Sequence, residues 1–170
     1  MNLEEINEAI AKCRNCRLWK ESRFAVPGEG PADARIMLVG QNPGAKEGET
    51  GKPFVGRSGK YLDSVLRKYN INREKLFITS IVKHKSPRNR QPTRDEISAC
   101  LPHLVNQINS IKPEVIILMG KVALHAPRFG GIKYLETYHP TAAMRFPAIR
   151  EKFEHDMEEA GKSLLNDEVL

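Results

Sequence analysis

Short apolar runs that stop at a glycine or a polar loop recur along this chain, and each is followed by a stretch of helical periodicity. Residues 35–39 end at Gly40, residues 114–119 end at Gly120, residues 76–82 form another run, and residues 132–137 a weaker last one. Runs this short and this apolar read as strands buried on both faces, which requires helices above and below the sheet. The intervening segments supply those helices. Residues 58–69 place Leu62, Val65, Leu66 and Tyr69 on one face, and residues 3–11 do the same with Leu3, Ile6 and Ile10. Thr93 and Glu96 form a capping box that opens a helix burying Ile97, Leu101, Leu104, Val105 and Ile108. Pro147 starts a closing helix. The alternation predicts an α/β fold, a three-layer α/β/α sandwich around a mainly parallel sheet of about four strands. With 170 residues, no repeat and no long linker, one domain spanning residues 1–170 is expected.

Charge narrows the partner. The chain carries 27 basic and 21 acidic residues, and residues 151–170 hold seven of the acidic and two of the basic ones. Residues 1–150 therefore have 25 basic against 14 acidic side chains, a balance that suits a polyanion. Nucleic acid is favoured over a membrane surface, because no basic amphipathic helix with an apolar face is evident; a solvated basic surface is the bland alternative. No apolar run approaches the roughly 20 residues of a membrane span, and the acidic start does not resemble a signal peptide. An intracellular, cytoplasmic monomer of prokaryotic type is expected. Three cysteines cannot close a disulfide set, and Cys13-x-x-Cys16 favours a metal or redox site.

In a parallel sheet, ligands gather beyond the carboxyl ends of the strands. That places Gly40-Gln41-Asn42-Pro43-Gly44, Ser80 to His84, Gly120-Lys121 and His139 to Arg145 where chemistry is expected. Gly51-Lys52 is followed by Pro53 and lacks the upstream glycine of a phosphate-binding loop, so nucleotide hydrolysis loses its main support. The stretch from Lys83 to Arg94 has five basic residues and no acidic one; Lys83, Lys85, Arg88 and Arg90 are candidate phosphate contacts, or a solvated loop. Cys13, Cys16, His84 and Cys100 make a candidate ligand set. Three thiolates and an imidazole suit tetrahedral zinc, thiolates also hold iron–sulfur clusters, and the spacing does not separate the two.

Together these segments resemble the uracil-DNA glycosylase superfamily, most closely its iron–sulfur family 4. The resemblance runs from Cys13 to about Phe153. It rests on Cys13 and Cys16, Val39 to Gly44, Gly51 to Gly59, Ile78 to Lys83, Arg90 to Cys100, and Tyr138-His139-Pro140. It implies a [4Fe-4S] cluster on Cys13, Cys16, His84 and Cys100, with structural and DNA-orienting duty and with zinc as the alternative. It also implies hydrolysis of the N-glycosidic bond of a deaminated base in DNA. Asn42 would orient the attacking water and His139 would stabilise the departing base. Phe54 would stack on that base, and Gln41 would contact it through its main-chain amide. Met144 or Ala143 would be the wedge filling the vacated stack, with Arg145 on phosphate.

Four features depart from the family pattern. The first loop carries Gln41-Asn42 where G-E-A-P-G is usual, and the asparagine resembles the mismatch-specific branch instead. Ser80 stands where an asparagine reads the base edge, and His84 where a cysteine holds the cluster. The span from Ala126 to Tyr138 is short, and the basic insertion of covalently DNA-trapping relatives is absent, so no covalent adduct is expected. Uracil is the expected base. The alternatives are hypoxanthine or another deaminated base, a cluster-bearing binder of damaged DNA with little catalysis, and a zinc-stapled nucleic-acid-binding domain.

Overall fold

A computed structural model describes residues 1–168, with side chains through residue 163. The expected alternation is present: α1 (Leu3–Ala11), β1 (Ile36–Gly40), α2 (Ala45–Thr50), α3 (Arg57–Lys68), β2 (Leu76–Ser80), α4 (Arg94–Ile111), β3 (Val115–Met119), β4 (Lys133–Thr137), α5 (Pro140–Arg145) and α6 (Pro147–Glu168). The strands lie in the order β2-β1-β3-β4 and every pairing is parallel.

Alternate side chains of β1, β2 and β3 feed two separate cores, as strand geometry requires. On one face Met37, Val39, Phe77, Ile116 and Leu118 pack with Ile97, Leu104 and Ile108 of α4. On the other Ile36, Leu38, Ile78, Ile117 and Met119 pack with Leu62 and Leu66 of α3 and Phe153 and Met157 of α6. The helices thus form the two outer layers of the predicted sandwich. Thr93 caps α4 through the reciprocal bonds of its box with Glu96, as the sequence pattern requires. Since β1 is followed by β2 on one side and β3 on the other, the chain reverses its direction of winding between β1 and β3. A crevice opens beyond the carboxyl ends of the strands at such a point.

The glycine-rich segment between β1 and α3 contains α2, which no sequence signal announced. Six residues with two glycines at or near its end carry no helical periodicity to read, and α2 stops where Gly51 turns left-handed at φ 75°. Residues 140–145, likewise unread as helix, form α5 with His139 as its N-cap. Among the described residues, no helix is long and apolar enough to cross a membrane.

Candidate functional site

One cavity of about 490 Å³ opens at the carboxyl end of the sheet, walled by Gln41, Asn42, Glu47, Phe54, Ser80 and His139. Its foundation is backbone. Beyond the paired strands, the amides of Ile81 and Val82 donate to the carbonyls of Gly40 and Gln41, so the two loops leave the sheet together. The glycine that ends β1 is required by contact: a Cβ on Gly40 would lie 2.7 Å from Phe54 Cζ. Gly120, after β3, adopts φ 93°, and a Cβ there would lie 3.1 Å from His139 Cβ. Both glycines therefore let aromatic side chains close over the strand ends. The rings of Phe54 and His139 stand 5.8 Å apart, tilted by 30°.

His139 caps α5 by accepting the Thr141 amide on Nδ1 at 3.1 Å, which leaves the imidazole proton on Nε2. Burial pushes its pKa down to about 4, so the ring is neutral at physiological pH. Asn42 is fixed through both ends of its amide. Oδ1 accepts from Gln41 Nε2 at 3.1 Å, and Nδ2 donates to Ser86 Oγ at 3.1 Å and to the Pro43 carbonyl at 3.3 Å. Ser86 in turn donates to the Arg90 carbonyl, so the basic loop braces the asparagine. The Ser80 hydroxyl is buried and donates its one proton to the Val82 carbonyl at 2.7 Å. Only its acceptor capacity remains for a ligand.

Two expected DNA contacts, Lys83 and Ala143, are corrected by their burial, and a third, Arg90, is engaged by an internal ion pair. Lys83 has no exposed surface: its ammonium points inward and donates to Thr79 Oγ1, the Ser80 carbonyl and Gln107 Oε1 at 2.7, 2.5 and 2.8 Å. Burial pushes its pKa down to about 7. It supports the end of β2 from within and cannot reach a phosphate. Arg90 is committed to the buried carboxylate of Glu96, which it grips at 2.6 and 3.0 Å. Ala143 is fully buried in the second core and cannot be a wedge. Lys85 is half-buried, Arg88 and Arg145 are exposed, and Met144 is half-buried. Arg145 also lines the cavity.

Two residues at the cavity escaped the sequence reading. Glu47, buried in α2, accepts the amides of Gly44, Val55 and Gly56 at 3.1, 2.8 and 2.8 Å. It thereby ties the Asn42 loop to the Phe54 loop. Its only sequence signal was an acidic residue in a glycine-rich segment. Phe146, half exposed at the cavity wall, follows α5 directly, where an aromatic beside Pro147 gave no periodic cue.

None of the three cysteines is in a disulfide. Cys13 and His84 share the lining of a second cavity of about 440 Å³ with Arg14, Trp19 and Arg23. Cys100 lies within electrostatic range of Cys13 and Cys16, and its sulfur accepts the Lys83 amide at 3.3 Å. Burial pushes the Cys16 and Cys100 thiols up, and it pushes the His84 imidazole down, with His103 adding to the effect. Among the described residues, no three His, Cys, Asp or Glu side chains converge on one point as ligands of a single ion would. Three thiols and an imidazole are donor types that suit either an iron–sulfur cluster or zinc.

A parallel sheet with this winding and an asparagine, an aromatic ring and a neutral histidine around its switch-point cavity defines a narrow class. The family model described as the uracil DNA glycosylase superfamily matches residues 27–162, and the chain belongs to that superfamily. Within it the similarity points to one branch. The chain is 38% identical to the type-4 uracil-DNA glycosylase of Pyrobaculum aerophilum, with 92% of both chains covered. It is 40% identical to the type-4 enzyme of Saccharolobus solfataricus, over 96% of this chain and 87% of that one. The type-4 enzyme of Thermotoga maritima is 38% identical, over 84% of this chain and 83% of its own.

Proposed function

We propose that this chain is a monofunctional uracil-DNA glycosylase, which takes a deaminated base out of the DNA stack and hydrolyses its N-glycosidic bond, leaving an abasic site for base excision repair. The observation that carries the reading is the grouping of Asn42, Phe54 and neutral His139 around one cavity. A base in a duplex cannot be reached by water at C1′ until it is extruded. Phe54 offers the extruded ring a face, with His139 beside it.

As the bond from C1′ to the base nitrogen breaks, its electron pair moves onto the base and negative charge grows on the carbonyl oxygens. The Nε2–H of His139 donates to that charge without first having to acquire a proton. The sugar becomes oxocarbenium-like and needs only a weak nucleophile. Asn42 Oδ1 has a second lone pair with which to hold and orient water as it adds to C1′, while the water proton leaves to solvent. The main-chain amide of Gln41 is a further donor to the base.

Ser80 supports uracil in a limited way. With its proton given to Val82, its oxygen can accept one N–H of the base, and uracil presents an N–H between two carbonyls. Hypoxanthine presents an N–H beside a carbonyl as well, and this single acceptor favours it as the second reading. Arg88, Lys85 and Arg145 are the cations at this edge that would meet phosphates. Met144 and Phe146 are the apolar side chains that would fill the vacated stack. A [4Fe-4S] cluster on Cys13, Cys16, Cys100 and His84 would tie the N-terminal segment to α4 and to the loop after β2, orienting that surface toward DNA; zinc is the alternative.

The test is a pair of substitutions. Asn42→Ala and His139→Ala should each slow single-turnover uracil excision by about 100-fold or more. Affinity for the same DNA should change little. Near-normal excision by both variants would remove the mechanism, and excision absent from the unaltered protein with tight lesion binding would make it a binder.

A further inference from the structure

Phe54 is held in a backbone conformation that an aromatic residue avoids, with φ 48° in the left-handed region. Such strain persists only where the surroundings enforce it. Glu47 enforces it from the C-terminal side by taking the amides of Val55 and Gly56. From the other direction, the Arg73 guanidinium donates to the Phe54 carbonyl at 3.1 Å and to the Pro53 carbonyl at 2.8 Å. Arg73 is itself fixed by an ion pair with Asp63 of α3, and both are only partly exposed. Gly59 lets α3 come this close, since a Cβ there would sit 1.8 Å from the Phe54 oxygen.

We propose that Arg73, anchored by Asp63, is a positioning residue that sets the base-stacking platform: by gripping two successive carbonyls it keeps Phe54 left-handed, with its ring over Gly40 and beside His139. The proposal rests on the glycosylase reading for what Phe54 stacks upon, but the clamp itself is a property of the loop. A guanidinium suits the task because its planar fork reaches two carbonyls and a carboxylate at once, which an ammonium cannot do with the same geometry. Neither Arg73 nor Asp63 lines the base cavity. Their effect on catalysis therefore passes through Phe54.

A double-mutant cycle reads this directly. Single-turnover excision from a uracil oligonucleotide is measured for Arg73→Met, Phe54→Ala and the double variant, with melting temperatures alongside. Arg73→Met should slow excision by about tenfold or more, Arg73→Lys should recover part of the loss, and in the Phe54→Ala background Arg73→Met should add less than about twofold. Equal effects of Arg73→Met in both backgrounds would overturn the proposal. Asp63→Asn, a milder change, should act in the same direction if Arg73→Met folds poorly; full activity in Asp63→Asn would count against the clamp. A crystal structure of Arg73→Met reads the clamp without reference to activity: Phe54 should leave the left-handed region, and an unmoved Phe54 would overturn the proposal even in a protein that removes no uracil.

Discussion

At the scale of single residues, burial decides which basic side chains can serve DNA. Lys83 and Arg88 stand five positions apart in one basic stretch, yet one has no exposed surface and the other is exposed. Arg88→Ala should lower the slope of log affinity against log salt by about one, the signature of one lost phosphate contact. Lys83→Ala should leave that slope unchanged and instead lower the melting temperature, because Thr79, Ser80 and Gln107 lose their shared donor. A salt titration of both variants, with thermal melts, separates the two roles. His139 yields a pH prediction. Its unfolded imidazole binds a proton near 6.5 and its folded one near 4, so between these values the unfolded chain holds more protons. Stability should therefore fall as pH drops from about 6.5 toward 4, and His139→Gln should remove that part of the slope. Excision should not decline from about pH 6 to 8, because the donor is already neutral; a tenfold fall per unit would mean that an imidazolium is needed.

At the scale of elements, Glu96 joins three segments. It closes the capping box of α4, receives both arms of Arg90 from the basic loop, and lies 3.8 Å from Arg17 in the cysteine segment. The Arg90 guanidinium beside it holds its carboxyl below the usual carboxylate range. Glu96→Ala should cost about 2–3 kcal/mol by denaturant unfolding, as expected for a buried charged hydrogen-bond partner. It should also loosen the loop that braces Asn42, so excision falls too; unchanged excision would mean that Ser86 holds the loop alone. Elements of this kind were legible where periodicity or capping spoke. The four strands and the helices α1, α3, α4 and α6 follow from apolar spacing, the Thr93 box and Pro147. α2 and α5 do not, since six residues cannot display a repeat. The candidate site divides the same way. Asn42, Ser80 and His139 fall at or just beyond strand ends, where the sheet rule directs attention, whereas Phe54 lies between α2 and α3 and stood out only through the family resemblance. Glu47, Lys83 and Arg90 depend on which way a side chain turns and what covers it, which a basic or acidic letter does not encode.

At the scale of the whole molecule, the N-terminal segment, the loop after β2 and α4 meet at the cysteines, away from the base cavity. If a cluster holds them together, Cys100→Ala should bleach the visible absorption of the purified protein and reduce DNA affinity, while Ser80→Asn should leave the colour intact and shift preference toward uracil. A colourless unaltered protein with stoichiometric zinc would assign the site to that metal instead. The central claim is excision itself. Purified protein is incubated with matched oligonucleotides carrying uracil, hypoxanthine, xanthine or no lesion, then treated with alkali, and strand cleavage is scored. Cleavage at uracil, with none in the undamaged strand, is the predicted result; cleavage at none of them, or at a purine lesion but not at uracil, would contradict it.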